Sequence, residues 1–381
     1  MNILCIANEI GRSAAGIVYE TYIKELSINH NVYILTPGCT SFLKYEDIDF
    51  VLPQSTPNLN WRLCELSATI FGCNIVDRIE CRRLLRTINI SNSPKIDFVL
   101  SFVSQQRYFG VMVGKALSKW LKTKWVVYSV DAIPAPSTWD KSFIKRKNVE
   151  YVFRKIVKGC DLFMSANPQM LQYQLEILHN CAGHSGVLYT PISNTQNINN
   201  VRCEPSPIFL YTGNIYGLRR VDILLDAFRM FLKEQPNAKI LFVGQNSLDI
   251  FRNYSDLIET KSIEIYGHHE DLMPFYEKAT VLLDLNADVD NDVFLSSKII
   301  NYLPIPKPIL CISGYNSPAR RLFMKDKSIV HCKYNKNCIY GALKKVQSMI
   351  VLQASREYYL KSLSANQLCQ YLLSSVEAIK K

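Results

Sequence analysis

The sequence predicts an α/β protein made of two parallel-sheet domains. Three observations carry this. Short apolar runs rich in branched residues alternate with helix-length segments, the alternation lapses once near the middle of the chain, and it then restarts. The first series of strands is read at Ile3–Ala7, Val32–Thr36, Phe98–Phe102, Trp125–Ser129, Leu162–Ser165 and Gly186–Tyr189. The helical patterns between them are Gly16–Asn29, Trp61–Ile90, Tyr108–Leu121, Lys141–Lys158 and Gln169–Leu178. Such spacing requires right-handed crossovers and therefore a parallel sheet covered on both faces.

The lapse is Ser193–Pro207, a polar stretch ending in Glu204-Pro-Ser-Pro207 and the best linker candidate. It separates an N-terminal domain, residues 1–203, from a second domain, residues 204–355. The second series of strands is expected at Ile208–Thr212, Lys239–Val243, Ser262–Tyr266, Val281–Leu285 and Ile309–Ile312. Its helices are expected at Val221–Glu234, Leu248–Leu257, Asp271–Lys278, Ser297–Leu303, Pro318–Met324 and Cys338–Val351. A last helical segment, Arg356–Ile379, lies beyond the second sheet's natural end and is expected to cross back to the first domain, as part of a returning stretch 356–381. Two Rossmann-like domains of this kind bind ligands at the carboxyl ends of their sheets, in a cleft that faces both.

The chain has 381 residues, 48% hydrophobic, which is enough for two cores and leaves no compositional sign of disorder. The N-terminal apolar run is interrupted at once by Asn8, Glu9 and Arg12, and no run reaches the roughly 18–20 apolar residues of a spanning helix. The expectation is a cytoplasmic protein, peripheral at most on the inner face of the cell membrane. Twelve cysteines without a CxxC pair read as reduced structural thiols. His331, Cys332 and Cys338 lack a second pair at zinc-site spacing.

The net charge of +11 suits anionic ligands or an anionic surface. Lys141, Lys145, Arg146, Lys147, Arg154, Lys155 and Lys158 are interleaved with Phe143, Ile144 and Phe153, and upstream lysines flank Trp120 and Trp125. That mixture fits either attachment to an anionic membrane surface or a solvated helix face. No nucleic-acid motif accompanies it.

Two distant stretches read as one site. Phe209-Leu-Tyr-Thr-Gly213-Asn214 runs into the basic turn Gly217-Leu-Arg219-Arg220, and Ser296-Ser297-Lys298 opens a helix that continues through Asn301 to Lys307-Pro308. Unpaired N–H groups at helix starts, together with arginine and lysine, form a cradle for a diphosphate.

These residues, with Ile-Leu-Phe-Val-Gly244, Ile-Tyr-Gly267-His268 and Met273-Pro-Phe-Tyr-Glu-Lys-Ala279, resemble the donor domain of GT-B glycosyltransferases, in particular glycosyltransferase family 4. The likeness spans roughly 150 residues. It implies a metal-independent, retaining transfer of a sugar from a nucleotide-sugar donor to an acceptor hydroxyl, with the donor as substrate and no cofactor or bound metal. Arg219 takes the diphosphate-binding lysine position, while Asn214 stands where an arginine is usual, so Arg220 is the substitute. Of the family's paired glutamates, the ribose-binding one is matched by Asn301 and the other by Val293, with Asp292 beside it. The resemblance places Gly213, Gly244, Gly267 and His268 around the donor, with Ser296, Ser297 and Lys298 at its phosphates. Asp131, after a strand, is the polar residue expected at the acceptor or transferred sugar, and Arg107, Tyr108 and the loop at Ala15-Gly16 face the acceptor. Family analogy and the basic face together point to a glycan or lipid-linked glycan acceptor in cell-surface polysaccharide assembly, and to no nucleic acid.

Two alternatives stay open at this stage. One is a nucleotide-sugar epimerase or hydrolase of the same fold, the other a non-catalytic homologue acting as a binding partner. Asp288 and Asp290 imitate a metal clamp, but the tandem sheets and Arg219 favour a solution without one.

Overall fold

The computed structural model describes residues 1–47, 60–89, 93–105, 107–179, 182–193, 206–349, 351 and 355–379. In chain order the first elements are β1 (Asn2–Ile6), α1 (Ala14–Ser27), β2 (Asn31–Leu35), β3 (Leu43–Lys44), α2 (Trp61–Phe71), α3 (Ile75–Thr87), β4 (Phe98–Val103) and α4 (Phe109–Trp120). They are followed by β5 (Lys124–Ser129), α5 (Phe143–Val157), β6 (Cys160–Ser165), α6 (Pro168–Leu178) and β7 (Ala182–Val187). The sheet order is β3-β2-β1-β4-β5-β6-β7, parallel except for the short edge strand β3.

Next come β8 (Ile208–Thr212), α7 (Val221–Leu232), β9 (Lys239–Val243), α8 (Ser255–Glu259), β10 (Ile263–Tyr266), α9 (Met273–Lys278) and β11 (Val281–Leu285). The rest are α10 (Ser297–Tyr302), β12 (Ile309–Ile312), α11 (Pro318–Phe323), β13 (Ile329–Cys332), α12 (Lys336–Gln347), α13 (Glu357–Ser362) and α14 (Ala365–Ala378). This second sheet has the order β10-β9-β8-β11-β12-β13 and is parallel throughout.

The chain divides into two compact units. One comprises Met1–Ser193 with Leu363–Lys381, and the other Asn194–Ser362. Most of the linker candidate, residues 194–205, lies outside the described residues. The returning segment is two helices, and α14 alone joins the first unit. Its Leu368, Cys369, Leu372 and Val376 are buried in the same cluster as Tyr19, Tyr22 and Ile23 of α1. Lys124 at the start of β5 donates to the Val376 carbonyl at 2.8 Å, closing the last turn of α14.

Other differences from expectation have local causes. The single helix predicted over Trp61–Ile90 is two, because Gly72 turns left-handed at φ 67° and Asn74 caps a new start on the Val76 N–H. A Cβ at Gly72 would lie 2.1 Å from the Asn148 carbonyl oxygen, so the break also lets α2 approach α5. The helix expected over Leu248–Leu257 is mostly a 3₁₀ segment, Leu248–Tyr254. Strand β13 was not predicted, since its four residues at a sheet edge are too few to show a period.

In each sheet, strand order reverses at one place: between β1 and β4 in the first unit, and between β8 and β11 in the second. There the following loops diverge and open a crevice. The buried strands between them, such as Phe209–Tyr211 and Val281–Leu285, form rigid platforms under those loops.

Candidate functional site

The second unit builds its site at the β8/β11 reversal. Gly213, Gly244 and Gly267 each directly follow a strand, and β8, β9 and β10 are neighbours in register, Thr212 beside Val243 and Val243 beside Tyr266. Strand spacing makes this a row of three glycines about 10 Å long across the carboxyl edge. Gly213 has φ 102°, and a Cβ there would lie 2.5 Å from Lys298 Cε. Gly244 has φ 151° and would strike the Gly213 carbonyl at 2.6 Å, while nothing lies within 4 Å of a Cβ at Gly267. The edge is thus a shelf without side chains of its own, where Gly213 admits the Lys298 side chain, Gly244 admits the Gly213 carbonyl, and Gly267 stands open.

Two cations stand at its β8 end. Lys298 lies in the first turn of α10, with Nζ 5.5 Å from the ring centroid of Tyr211. Burial, and then the neighbouring guanidinium of Arg219, lower its pKa to about 8, against the opposing pull of Asp284. Arg219 donates from Nη1 to the Asn214 carbonyl at 2.7 Å and stacks on Tyr216 at 4.1 Å, while its buried Nε has no partner. Among the described residues no carboxylate forms a salt bridge with either cation, although the buried Asp284 acts on both from a distance, so their charge is available to an anion.

The scaffold behind them comes from residues that sequence reasoning passed over. Asp284 is fully buried in β11, accepts from Ser296 Oγ at 2.7 Å and so fixes the cap of α10, whose Oγ accepts the Lys298 N–H. Tyr302 receives the Thr212 N–H at 3.0 Å and thereby ties α10 to the end of β8. A carboxylate inside the apolar run Val-Leu-Leu-Asp284-Leu was the available signal.

Several expected residues sit differently. Arg220 does not stand in for the missing arginine beside Lys298: its fork closes on Asp222 at 2.9 and 2.7 Å, both half-exposed. Asn214 accepts the Gln245 N–H and holds the β8 and β9 loops together. The Asp292 carboxylate accepts its own neighbour's Val293 N–H. Helix α10 is six residues long, and Ser296 already takes one of its free N–H groups. Charge therefore rests on side chains more than on a helix dipole. Asn301 lies half-buried one turn after Lys298, Ser297 opens α10, and His268 is exposed beyond β10.

Asp288 donates its N–H to the Leu218 carbonyl, and Asp290 accepts from Tyr315. Among the described residues no group of three or more His, Cys, Asp or Glu side chains could hold a metal ion.

In the first unit, Asp131 follows β5. It accepts the Gln105 N–H at 3.2 Å, and burial raises its carboxyl above the usual range against that bond. Its backbone carbonyl receives Ser129 Oγ and Gln174 Nε2. Arg107 points back to Asp77, 3.6 Å away at the β1/β4 reversal, where Asp77 is fully buried and also accepts from Asn8 and the Tyr108 N–H. Tyr108, expected toward the acceptor, is a buried ring packed on Phe153. Gly16 is in the first turn of α1 and not in a loop; its N–H goes to the Ser13 cap, and the turn itself is made by Gly11 at φ 76°.

No protein-family model matches the chain, and no curated protein matches it by sequence. Solved structures do. A glycosyltransferase from Rickettsia africae aligns at TM-score 0.66 and 14% identity, covering 99% of this chain and 98% of that one. Anabaena HepE in complex with UDP and glucose aligns at TM-score 0.58 and 11% identity over 99% of both chains. The UDP-GlcNAc 2-epimerase of Methanocaldococcus jannaschii aligns at 0.55 and 15% identity, again over 99% of both. At these identities the likeness is one of architecture, and the chain has the GT-B fold, two parallel-sheet α/β units joined in series.

Proposed function

We propose that this protein is a glycosyltransferase that moves a sugar from a nucleotide-sugar donor to an acceptor hydroxyl. The observation that carries the reading is the pairing of Arg219 and Lys298 at one end of the glycine shelf. The diphosphate of the donor lies at the cations, and the nucleoside runs over Gly244 toward Gly267 and His268. When the bond from the anomeric carbon to the diphosphate breaks, negative charge grows on the leaving oxygens. Arg219 and Lys298 meet that charge without rearranging, so they stabilise the transition state more than the ground state. The acceptor oxygen then bonds to the anomeric carbon, and its hydroxyl proton passes to the departing diphosphate oxygen. The reading takes the transfer as retaining and independent of a metal ion. It places a glycan or lipid-linked glycan acceptor, presented at an anionic membrane surface during polysaccharide assembly, beside Asp131 of the first unit.

The test is a thermal-shift screen with UDP-, GDP-, ADP- and CMP-linked sugars, with and without EDTA. A selective ligand raises the melting temperature of the second unit. One base is expected to do so in both conditions; no stabilisation by any donor would end the reading. The epimerase likeness favours one other chemistry, in which the donor alone is turned over. Without acceptor, conversion of the donor to its sugar epimer, or release of free nucleotide by hydrolysis, would support it.

A pH profile follows from Lys298. Its ammonium holds the diphosphate, and its pKa in the free protein is about 8. Donor kcat/KM is therefore expected to fall as pH rises through about 8, when the charge is lost. Bound diphosphate favours the ammonium, so the limb of kcat lies higher. Lys298→Arg should remove the limb. A profile flat from pH 7 to 9 in the native protein would contradict the assignment.

A further inference from the structure

The basic segment that looked like a membrane surface in the sequence is largely committed inside the first unit. Lys145 pairs with Glu65 and with Asp140 at 3.2 Å, and Arg146 Nε donates to the Ala135 carbonyl. Lys115 donates to the Lys155 carbonyl, and Trp125 is a core residue.

Its N-terminal end, exposed at Lys141 and Lys147, joins a surface on the neighbouring helices. On α2, Leu63, Leu66 and Ile70 share one stripe by their spacing and are 52%, 54% and 53% exposed. Phe71 follows at 50%, and Phe143 and Ile144 at the start of α5 are 62% and 66% exposed. The helices are joined, since Asn148 of α5 donates to the carbonyls of Thr69 and Ile70. Outward on α3, Ile75 and Ile79 give way at the same helical spacing to Arg82 and Arg86. Lys141 and Lys147 are exposed around Phe143, with Lys147 Nζ 4.4 Å from its ring centroid. The acidic residues of these three helices are already engaged or buried: Glu65 with Lys145, Glu150 with Arg154, and Asp77 and Glu80 in the interior.

We propose that the apolar stripe of α2, with the tip of α5, seats this protein on an anionic lipid bilayer. Leu63, Leu66, Ile70 and Phe143 enter the boundary of the acyl chains, and Arg82, Arg86, Lys141 and Lys147 meet the lipid phosphates. Large apolar side chains ringed by cations of one sign match a surface that is apolar beneath and negative above. A second copy of this chain fits poorly, because a two-fold contact would face like charges with like. The inference deepens the membrane-side acceptor of the proposed function and rests on it only for its purpose.

The test is co-sedimentation of the full chain with vesicles of phosphatidylcholine alone and of phosphatidylcholine with phosphatidylglycerol. The native protein is expected to favour the anionic vesicles. Leu66→Glu/Ile70→Glu should lower that binding by about 10-fold or more, and Lys141→Glu/Lys147→Glu should lower it and weaken its salt dependence. All four side chains are solvent-facing, so an unchanged melting temperature certifies the fold. Equal binding to both vesicle types, unchanged binding by both variants, or a dimer that Leu66→Glu/Ile70→Glu splits while vesicle binding persists would each overturn the proposal. Donor-induced stabilisation, read on the same preparations, tests the glycosyltransferase reading separately.

Discussion

Arg219→Ala is expected to lower kcat/KM for the nucleotide sugar by on the order of 10²-fold or more. Its guanidinium is already oriented by the Asn214 carbonyl and the Tyr216 ring, so little ordering remains to be done when the diphosphate arrives. Its removal also takes away a cation that depresses the Lys298 pKa. The limb near pH 8 should therefore move upward in the variant even as the rate falls. Arg220→Ala is the control. That side chain is exposed and forked on Asp222, and its loss should change kcat/KM by no more than a few-fold. Equal effects at the two positions, or native kinetics in Arg219→Ala, would show that the diphosphate is held elsewhere.

Arg356→Leu should destabilise the second unit by about 3–5 kcal/mol. Arg356 is 1% exposed and donates to Ser328 Oγ at 2.8 Å, to the carbonyls of Leu303 and Ile305 at 3.3 and 2.7 Å, and to that of Lys307 at 2.8 Å. The buried Asp326 carboxylate stands 3.6 Å from its Nε. Burial lowers its pKa only to about 10, so it remains charged at neutral pH. Leucine would take the donor from the buried carbonyls of Leu303 and Lys307 and the counter-charge from Asp326. It would leave the Ile305 carbonyl only the Lys307 N–H and the Asp326 carboxylate only Ser328. An unmade buried bond costs more than a made one contributes. For a unit of this size the melting transition should fall on the order of 10 °C, with the first unit's transition in place. Because Leu303–Lys307 is the turn that ends α10, donor-induced stabilisation should weaken too. An unchanged transition would mean that the turn holds itself.

Most of the scaffold was legible because its signals are local. Phe209–Thr212, Lys239–Val243, Val281–Leu285 and Ile309–Ile312 are interior parallel strands, buried on both faces, and they read as continuous apolar runs. Gly213, Gly244 and Gly267 stood out by position, each ending such a run. The edge strand β13 and the five-residue α8 were less legible, since a few residues carry no period. The similarly short α10 and α11 were marked by a Ser cap and by Pro318. Side-chain partnership was the least legible. Arg219 and Arg220 are adjacent and chemically identical, yet one faces the shelf and the other is taken by Asp222. Lys145 and Lys147 are separated in the same way, one tied to Glu65 eighty residues away and one exposed over the Phe143 ring.

The sequence by itself determined the two α/β units, the glycines at the strand ends and the basic loops that follow them, because apolar periodicity, turn chemistry and composition act over neighbouring residues. The tertiary structure alone decided that Asp284 anchors Ser296, that Arg356 pins the turn after α10, and that the stripe on α2 is left uncovered. Those outcomes depend on which groups the packed sheets bring within a few ångströms of one another, and sequence separation does not encode that distance.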